Sequence, residues 1–247
     1  MKVGITERGD AGIDLSWKSK LNNVDGAVLI TKNITNEFIN TVMSSKIPLI
    51  VHCTCTGWGG SSLEPNVPKF TVQLNQLKKL IDSGFFSNNC VLRIDPIFPS
   101  ETGLSKVEQV LNTFLSMKLG VSRIRISIVD EYKHVKERYK EHNWQPIYQN
   151  RFYPDTVQLK NVAAMLSKYP QLTFETCAED KLAMLCANVI SLGCVSKKDL
   201  EIMRLSTPDI LKENPQNRTG CHCLSCKTEL LTNKHPCKNG CVYCYWQ

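Results

Sequence analysis

The sequence predicts an α/β fold, a partial or complete β/α (TIM-like) barrel with an irregular C-terminal cysteine-rich tail. Three observations lead there. Short β-branched runs alternate with amphipathic stretches; this periodicity fails near residue 207; and six of the twelve cysteines fall between Cys221 and Cys244. Strands alternating with helices imply parallel βαβ units, and six such units favour a barrel over an open sheet. The division that follows is a barrel domain over 1–206 and a metal-binding tail over 207–247, packed on the barrel.

Strands are predicted at 2–6 (KVGIT), 27–32 (AVLITK), 48–53 (PLIVHC), 91–94 (VLRI), 124–129 (IRISIV) and 172–176 (LTFET). Helices fall between them. One covers 70–81, with Phe70, Val72, Leu74, Leu77, Leu80 and Ile81 on an apolar stripe; others cover 104–117 and 157–168. The segment 207–220, "TPDILKENPQNRTG", is rich in Pro and Asn and reads as a surface loop.

Composition narrows the class. Hydrophobic residues make up 42 % of the 247 and charged residues 21 %, as in an ordinary globular protein. No apolar run reaches the roughly 18 residues needed to cross a bilayer, and the start lacks the basic and then apolar layout of a signal peptide. The expectation is a cytoplasmic protein with no membrane partner. In a reducing compartment, clustered cysteines bind metal more often than they pair. The formal charge of +7 is compatible with a nucleic-acid partner, but the densest basic run, "DEYKHVKERYKEHN", is interleaved with acids and reads as a solvated helix face.

Reactive groups in parallel β/α folds collect at the carboxyl ends of the strands. Here those ends are polar throughout: Glu7, Arg8 and Asp10; Thr31, Lys32 and Asn33; His52 to Thr56; Arg93 and Asp95; Asp130, Tyr132 and Lys133; Glu175, Cys177 and Glu179. Singly each suits a cap or a satisfied core group. Together they argue for a site.

In the tail, Cys237-x3-Cys241-x2-Cys244 supplies three thiolates in one short loop. That is enough to hold three irons of a [4Fe–4S] cluster and leave the fourth open. A zinc ion held by the same three cysteines with His235 or Cys226 is the alternative. The spacing, with Tyr243 before the last cysteine, resembles the radical S-adenosylmethionine (SAM) signature. In that superfamily SAM chelates the open iron and is cleaved on reduction to a 5′-deoxyadenosyl radical. The "CVYCYW" ending is also similar to the cluster loop of spore photoproduct lyase.

Along nearly its whole length the chain resembles an uncharacterised bacterial and phage family, domain-of-unknown-function family eighteen-forty-eight. The ordered pieces are "VLITKN", "EPNVP" at 64–68, "VLRIDPIF", "ISIVDEY", "ETCAE", "GCHC" and "CKNGCVYCY". That family is described by a C-terminal cysteine cluster like the N-terminal one of radical SAM proteins, which implies a permuted cluster loop. The pattern also carries Cys177, Cys194, Cys221 and Cys223, a four-thiolate second site for either an auxiliary iron–sulfur cluster or zinc; buried, inert cysteines are the bland alternative for Cys177 and Cys194. Cys53, Cys55, Cys90, Cys186 and Cys226 read as incidental. No clear Gly-Gly-Glu-Pro motif is present; the nearest piece, "TGWGG" at 56–60, lacks its acid.

The resemblance implies an enzyme of the radical SAM type. Cys237, Cys241 and Cys244 hold its cluster, Arg8, Asp10, Lys32 and Tyr243 face SAM, and Arg93, Asp95 and Glu175 act on substrate. That substrate is a small molecule or a nucleic acid (a base or nucleotide is the narrower expectation), and a reductant protein is an expected partner. The other reading is a non-enzymatic zinc or iron–sulfur protein whose tail site is structural or binds a partner.

Overall fold

In the computed structural model, which describes residues 1–206, 220–231 and 237–246, one parallel sheet runs in the order β7-β6-β5-β4-β3-β2-β1-β8. Its strands are β1 (Val3–Ile5), β2 (Gly26–Thr31), β3 (Leu49–Thr54), β4 (Cys90–Ile97), β5 (Arg123–Ile128), β6 (Phe174–Thr176), β7 (Val189–Ser191) and β8 (Lys227–Glu229). The six runs read from the sequence correspond to β1–β6. β7 and β8 are three residues each, too short to show a hydrophobic period. β8 falls within the predicted tail, yet it pairs with β1 through Val3↔Lys227 and Ile5↔Glu229. The sheet therefore extends past residue 206, because an edge strand is defined by its partner and not by its own pattern. The stretch 207–219 of the expected surface loop lies outside the described residues.

The ladder does not join β7 to β8 among the described residues, so the sheet is not the closed form of the predicted barrel. The flanking chain still meets: Leu224 N–H donates to the Val195 carbonyl at 3.0 Å.

Helices α1 (Asn36–Met43), α2 (Phe70–Asp82), α3 (Glu101–Met117), α4 (Lys133–Glu141), α5 (Thr156–Ser167), α6 (Asp180–Leu185) and α7 (Lys197–Ile202), with 3-10 turns at Leu15–Asn23 and Ser87–Asn89, complete the described elements. Their ends are chemically marked. Thr35, Ser100 and Asp155 each accept an amide hydrogen bond at a helix start. The main core lies between one sheet face and α1, α2, α3 and α5, through Leu29, Val51, Leu92, Ile126 and Phe174 against Phe38, Leu77, Val110 and Val162.

The other face is mixed. Val3, Ile5, Val28, Ile50 and Val91 pack with Leu200 of α7, with Met203 just past its end, and with Val195 and Leu224. Farther along the sheet the same face turns charged, with Thr54, Arg93, Arg125 and Glu175 aligned in register across β3–β6. Arg123 donates to both Glu175 oxygens at 3.0 and 2.8 Å, and Arg125 donates to Glu175 at 3.0 Å. Lys198 reaches Glu175 at 2.7 Å, and Asp199 meets Arg123 at 2.8 Å. Since Arg123 opens β5 and Asp199 sits on α7, the network lies toward the amino ends of the strands. His52, on the same face, is fully buried.

Burial by itself raises the Glu175 carboxyl; the Arg123 hydrogen bonds and the Arg125 charge outweigh it and hold the group at about 2 against a usual 4.5. Burial, then the charges of Arg125, Arg93 and Arg123, push His52 well below its usual 6.5. The unfolded chain takes up a proton on His52 that the folded chain refuses, so stability declines as pH drops below 6.5. The Glu175 contribution is complete above pH 4.5 and disappears toward pH 2. Glu175→Gln is expected to cost about 3–5 kcal/mol at neutral pH, because it removes the carboxylate shared by two buried guanidinium groups and leaves Asp199 alone to offset both. In urea melts across pH the variant should lose the steep fall below 4.5 and keep the shallow one below 6.5. An unchanged acid limb contradicts the ion network's role.

Candidate metal centre

The described tail, 237–246, lies across the loops that follow β1–β5. Asp10, just beyond β1, is its first anchor. Its carboxylate accepts from Gly12 N–H, the Thr31 hydroxyl, Lys32 N–H, the Asn33 amide and, in the tail, the Asn239 amide at 2.7 Å. Asn33 donates to the Asn239 carbonyl oxygen at 2.6 Å, which fixes the turn between Cys237 and Cys241. The second anchor is Glu64, in the loop after β3. It accepts from Lys32 at 2.5 Å, from Thr56 at 2.8 Å and from the Tyr243 hydroxyl. Arg138 of α4 donates to the carbonyls of Val242 and Cys244, and Val242 N–H donates to Leu63. Asn66 donates to the Lys238 carbonyl at 2.9 Å.

Apolar packing reinforces the polar anchors. Cys241, Val242 and Tyr243 share a separate core with Trp58, Leu63, Val67, Phe98, Val129, Val135, Tyr139 and Tyr148, all from the loops beyond the strands or from α4. The Tyr243 ring sits edge-on to Phe98 at 5.3 Å.

Cys237 and Cys241 lie within electrostatic reach of Cys244. Burial pushes Cys237 up and Cys241 to about 12, with the nearby Lys32 charge working the other way on both. Without a positive partner these groups are thiols; a bound metal removes their protons. The three do not form a group with sulfurs inside 4.8 Å among the described residues.

Beside this loop stand two charged pairs. Arg93 bonds Asp95, and Lys227 reaches Glu7 at 2.6 Å. All four are half-buried, and Tyr245 interacts with Asp95, Glu7, Arg93 and Cys194. Arg8 stacks on Trp246 at 5.0 Å.

On the far side of those pairs the second cysteine group assembles. Cys177 follows β6, and Cys221 and Cys223 precede β8; their sulfurs all lie within 4.8 Å of one another. Cys177 and Cys223 are 3.9 Å apart. Cys194, after β7, directs its amide to the Cys223 sulfur at 3.2 Å, and its thiol interacts with those of Cys177 and Cys223. Donation from Cys177, then Cys194, holds Cys223 below the usual thiol range. Ala178 takes a left-handed turn (φ 64°) directly after Cys177, and Gly193 is required because a Cβ would come within 2.2 Å of the His222 carbonyl.

A family model described as "Domain of unknown function (DUF1848)" matches residues 14–246. The chain belongs to the DUF1848 family. Among curated proteins none matches the chain. The DUF1848 span takes in both cysteine groups and β2–β8; β1, Glu7, Arg8 and Asp10 precede it.

The structure brings some predicted residues together and separates others. Arg93 and Asp95 stand at the mouth with Cys194. Glu175 does not: it is sealed in the Arg123–Arg125–Lys198 network, since a carboxylate buried among three cations has no capacity left for a ligand. Asp10, Lys32 and Tyr243, read as cofactor contacts, have their polar atoms engaged in holding the tail. His235 lies outside the described residues. Sequence reasoning passed over Glu64, Arg138, Lys227 and Asn239. The first stands in the quoted "EPNVP" and the last inside the cysteine loop, so position offered a signal for those two alone.

Asn239→Ala removes both side-chain bonds to Asp10 and Asn33 and should cost about 1–3 kcal/mol of tail docking. Hydrogen exchange is expected to quicken across 237–246 while β2–β4 keep their protection. Equal loosening of tail and sheet would mean that Asn239 holds up the whole fold and is not a local anchor.

Proposed function

We propose that this DUF1848 protein is a radical SAM-type enzyme whose cluster loop, Cys237, Cys241 and Cys244, sits at the carboxyl ends of the strands. One observation carries the reading: a three-cysteine loop is pinned by Asp10, Asn33, Glu64 and Lys32 over the rim where parallel β/α enzymes place their chemistry. The donor set fits the group. Three cysteines stand in one short loop, and the Lys32 charge favours the thiolate form of Cys237 and Cys241. A [4Fe–4S] cluster with one iron free of protein thiolates supplies one-electron cleavage of SAM.

This chain's own residues then have separate tasks. The Lys32–Glu64–Tyr243 contacts hold the loop rigidly, which fixes where a reactive carbon meets its substrate. Arg93, Asp95, Glu7 and Lys227 offer paired charges to orient a polar ligand. The rim beside them carries Tyr132 stacked with Phe152 at 5.3 Å, and half-exposed Tyr153, Tyr245 and Trp246. Aromatic faces next to Arg8 suit a nucleobase, so a base or nucleotide is the substrate class we favour. A reductant protein supplies the electron.

A structural-metal reading has its own support, because Asp10, Lys32 and Tyr243 are occupied in anchoring the loop. The test separates the two. Protein reconstituted anaerobically with iron and sulfide should absorb at about 400 nm through thiolate-to-iron charge transfer, and on adding dithionite and SAM should release 5′-deoxyadenosine. Cys241→Ala should abolish that product. A colourless, zinc-loaded tail, or a reduced cluster that leaves SAM intact, establishes the structural reading instead.

A further inference from the structure

We infer that Cys177, Cys194, Cys221 and Cys223 form a mononuclear tetrathiolate site for a zinc-type ion, and that this ion joins the two ends of the sheet. The sulfur spacing points to one ion. Four sulfurs at about 2.3 Å from a tetrahedral zinc lie about 3.8 Å apart; Cys177 and Cys223 are 3.9 Å apart, Cys221 joins them within 4.8 Å, and Cys194 stands outside that trio with its thiol in contact with those of Cys177 and Cys223. Thiolates on separate irons of a cluster stand farther apart than neighbours around a single ion, so the close trio suits one ion.

The surroundings agree. Four thiols binding a divalent ion release four protons and leave a complex of charge −2. Lys227 lies within electrostatic reach of Cys194 and Cys223, and Arg93 within reach of Cys194. The Cys194 amide already donates to the Cys223 sulfur, the kind of N–H···S bond that steadies a metal-bound thiolate. His222 stands between two of the ligands but bonds Asp180 at 3.0 Å, and Asp180 also accepts from Ser191 at 2.7 Å. The imidazole is thus held in place beside the site and not in it.

Topology supplies the role. β7 and β8 are the edges of the sheet, and no ladder connects them among the described residues. Cys177 comes from the loop after β6, Cys194 from that after β7, and Cys221 and Cys223 from the approach to β8. One ion bound by all four ties these three segments together where strand pairing stops, with the Leu224–Val195 hydrogen bond as its backbone complement.

The test uses the full chain and a Cys237→Ala/Cys241→Ala/Cys244→Ala variant, which removes the tail site. The variant without the tail site, purified in air, should hold one zinc per chain, and the full chain at least one. Replacement by cobalt(II) should give the visible bands of a tetrahedral thiolate site, and Cys194→Ser should lower thiolate-to-cobalt charge transfer by about one quarter, the loss of one ligand in four. Cys177→Ser/Cys223→Ser should lose the ion and speed hydrogen exchange in β7 and β8. Where that variant fails to fold, mercurial titration of the wild-type protein decides: zinc should leave as the four thiols react. Iron and sulfide in the tail-less variant would overturn the mononuclear assignment. A cobalt spectrum untouched by Cys194→Ser would overturn the fourth ligand, and unchanged β7 and β8 exchange after metal removal would overturn the closing role. None of these outcomes depends on SAM cleavage, so failure here and failure of the enzymatic reading are distinct.

Discussion

Parallel pairing of all eight described strands sets every carboxyl end on one side of the sheet, and the placement of the reactive groups follows from that constraint. The segments that follow β3, β4 and β5 form a second apolar core of their own, into which Cys241, Val242 and Tyr243 insert. The tail is therefore held by burial as well as by hydrogen bonds. Asp10 is the most heavily used point in the arrangement, because one carboxylate satisfies donors from its own loop, from the end of β2 and from the tail. An ionised acceptor with several N–H and O–H donors is among the stronger polar contacts available to a protein.

The face opposite the helices divides its charges into two groups with different consequences. Toward the amino ends, Arg123, Arg125, Glu175, Lys198 and Asp199 neutralise one another under α7. Toward the carboxyl ends, Arg93–Asp95 and Glu7–Lys227 remain half-buried and border both cysteine groups. In the first set Lys198 alone reaches solvent, while the carboxylates and guanidinium groups are sealed; in the second all four groups are partly open. Removing a partner from the buried set exposes the desolvation cost of the other, whereas the outer pairs can exchange partners with a ligand.

Spacing separates the cysteine groups. Cys177, Cys221 and Cys223 converge within 4.8 Å although 44 residues part Cys177 from Cys221. Cys237, Cys241 and Cys244 are neighbours in sequence, set on two successive turns closed by Gly240 N–H to the Cys237 carbonyl and Cys244 N–H to the Cys241 carbonyl. Local chain geometry explains the second case. Only the return of the chain to pair β8 with β1 explains the first.

The sequence by itself determined β1–β6, the helices at 70–81, 104–117 and 157–168, and the concentration of thiols toward the C-terminal side, because hydrophobic period and residue spacing are local quantities. It placed Arg93 and Asp95 at the end of a strand over 91–94, whereas β4 runs to Ile97 and holds both inside it. Tertiary structure decided the rest. β7 and β8 are edge strands of three residues, defined by partners far along the chain. Glu175 looked like a mouth residue by alternation, but register with Arg125 and the approach of α7 turned it into a buried counter-ion. Asp10, Lys32 and Tyr243 look like ligand contacts in sequence and serve as anchors in the fold, since what a polar side chain binds depends on which donors the packing brings within about 3 Å. That proximity is a property of the assembled chain, and no spacing along the sequence encodes it.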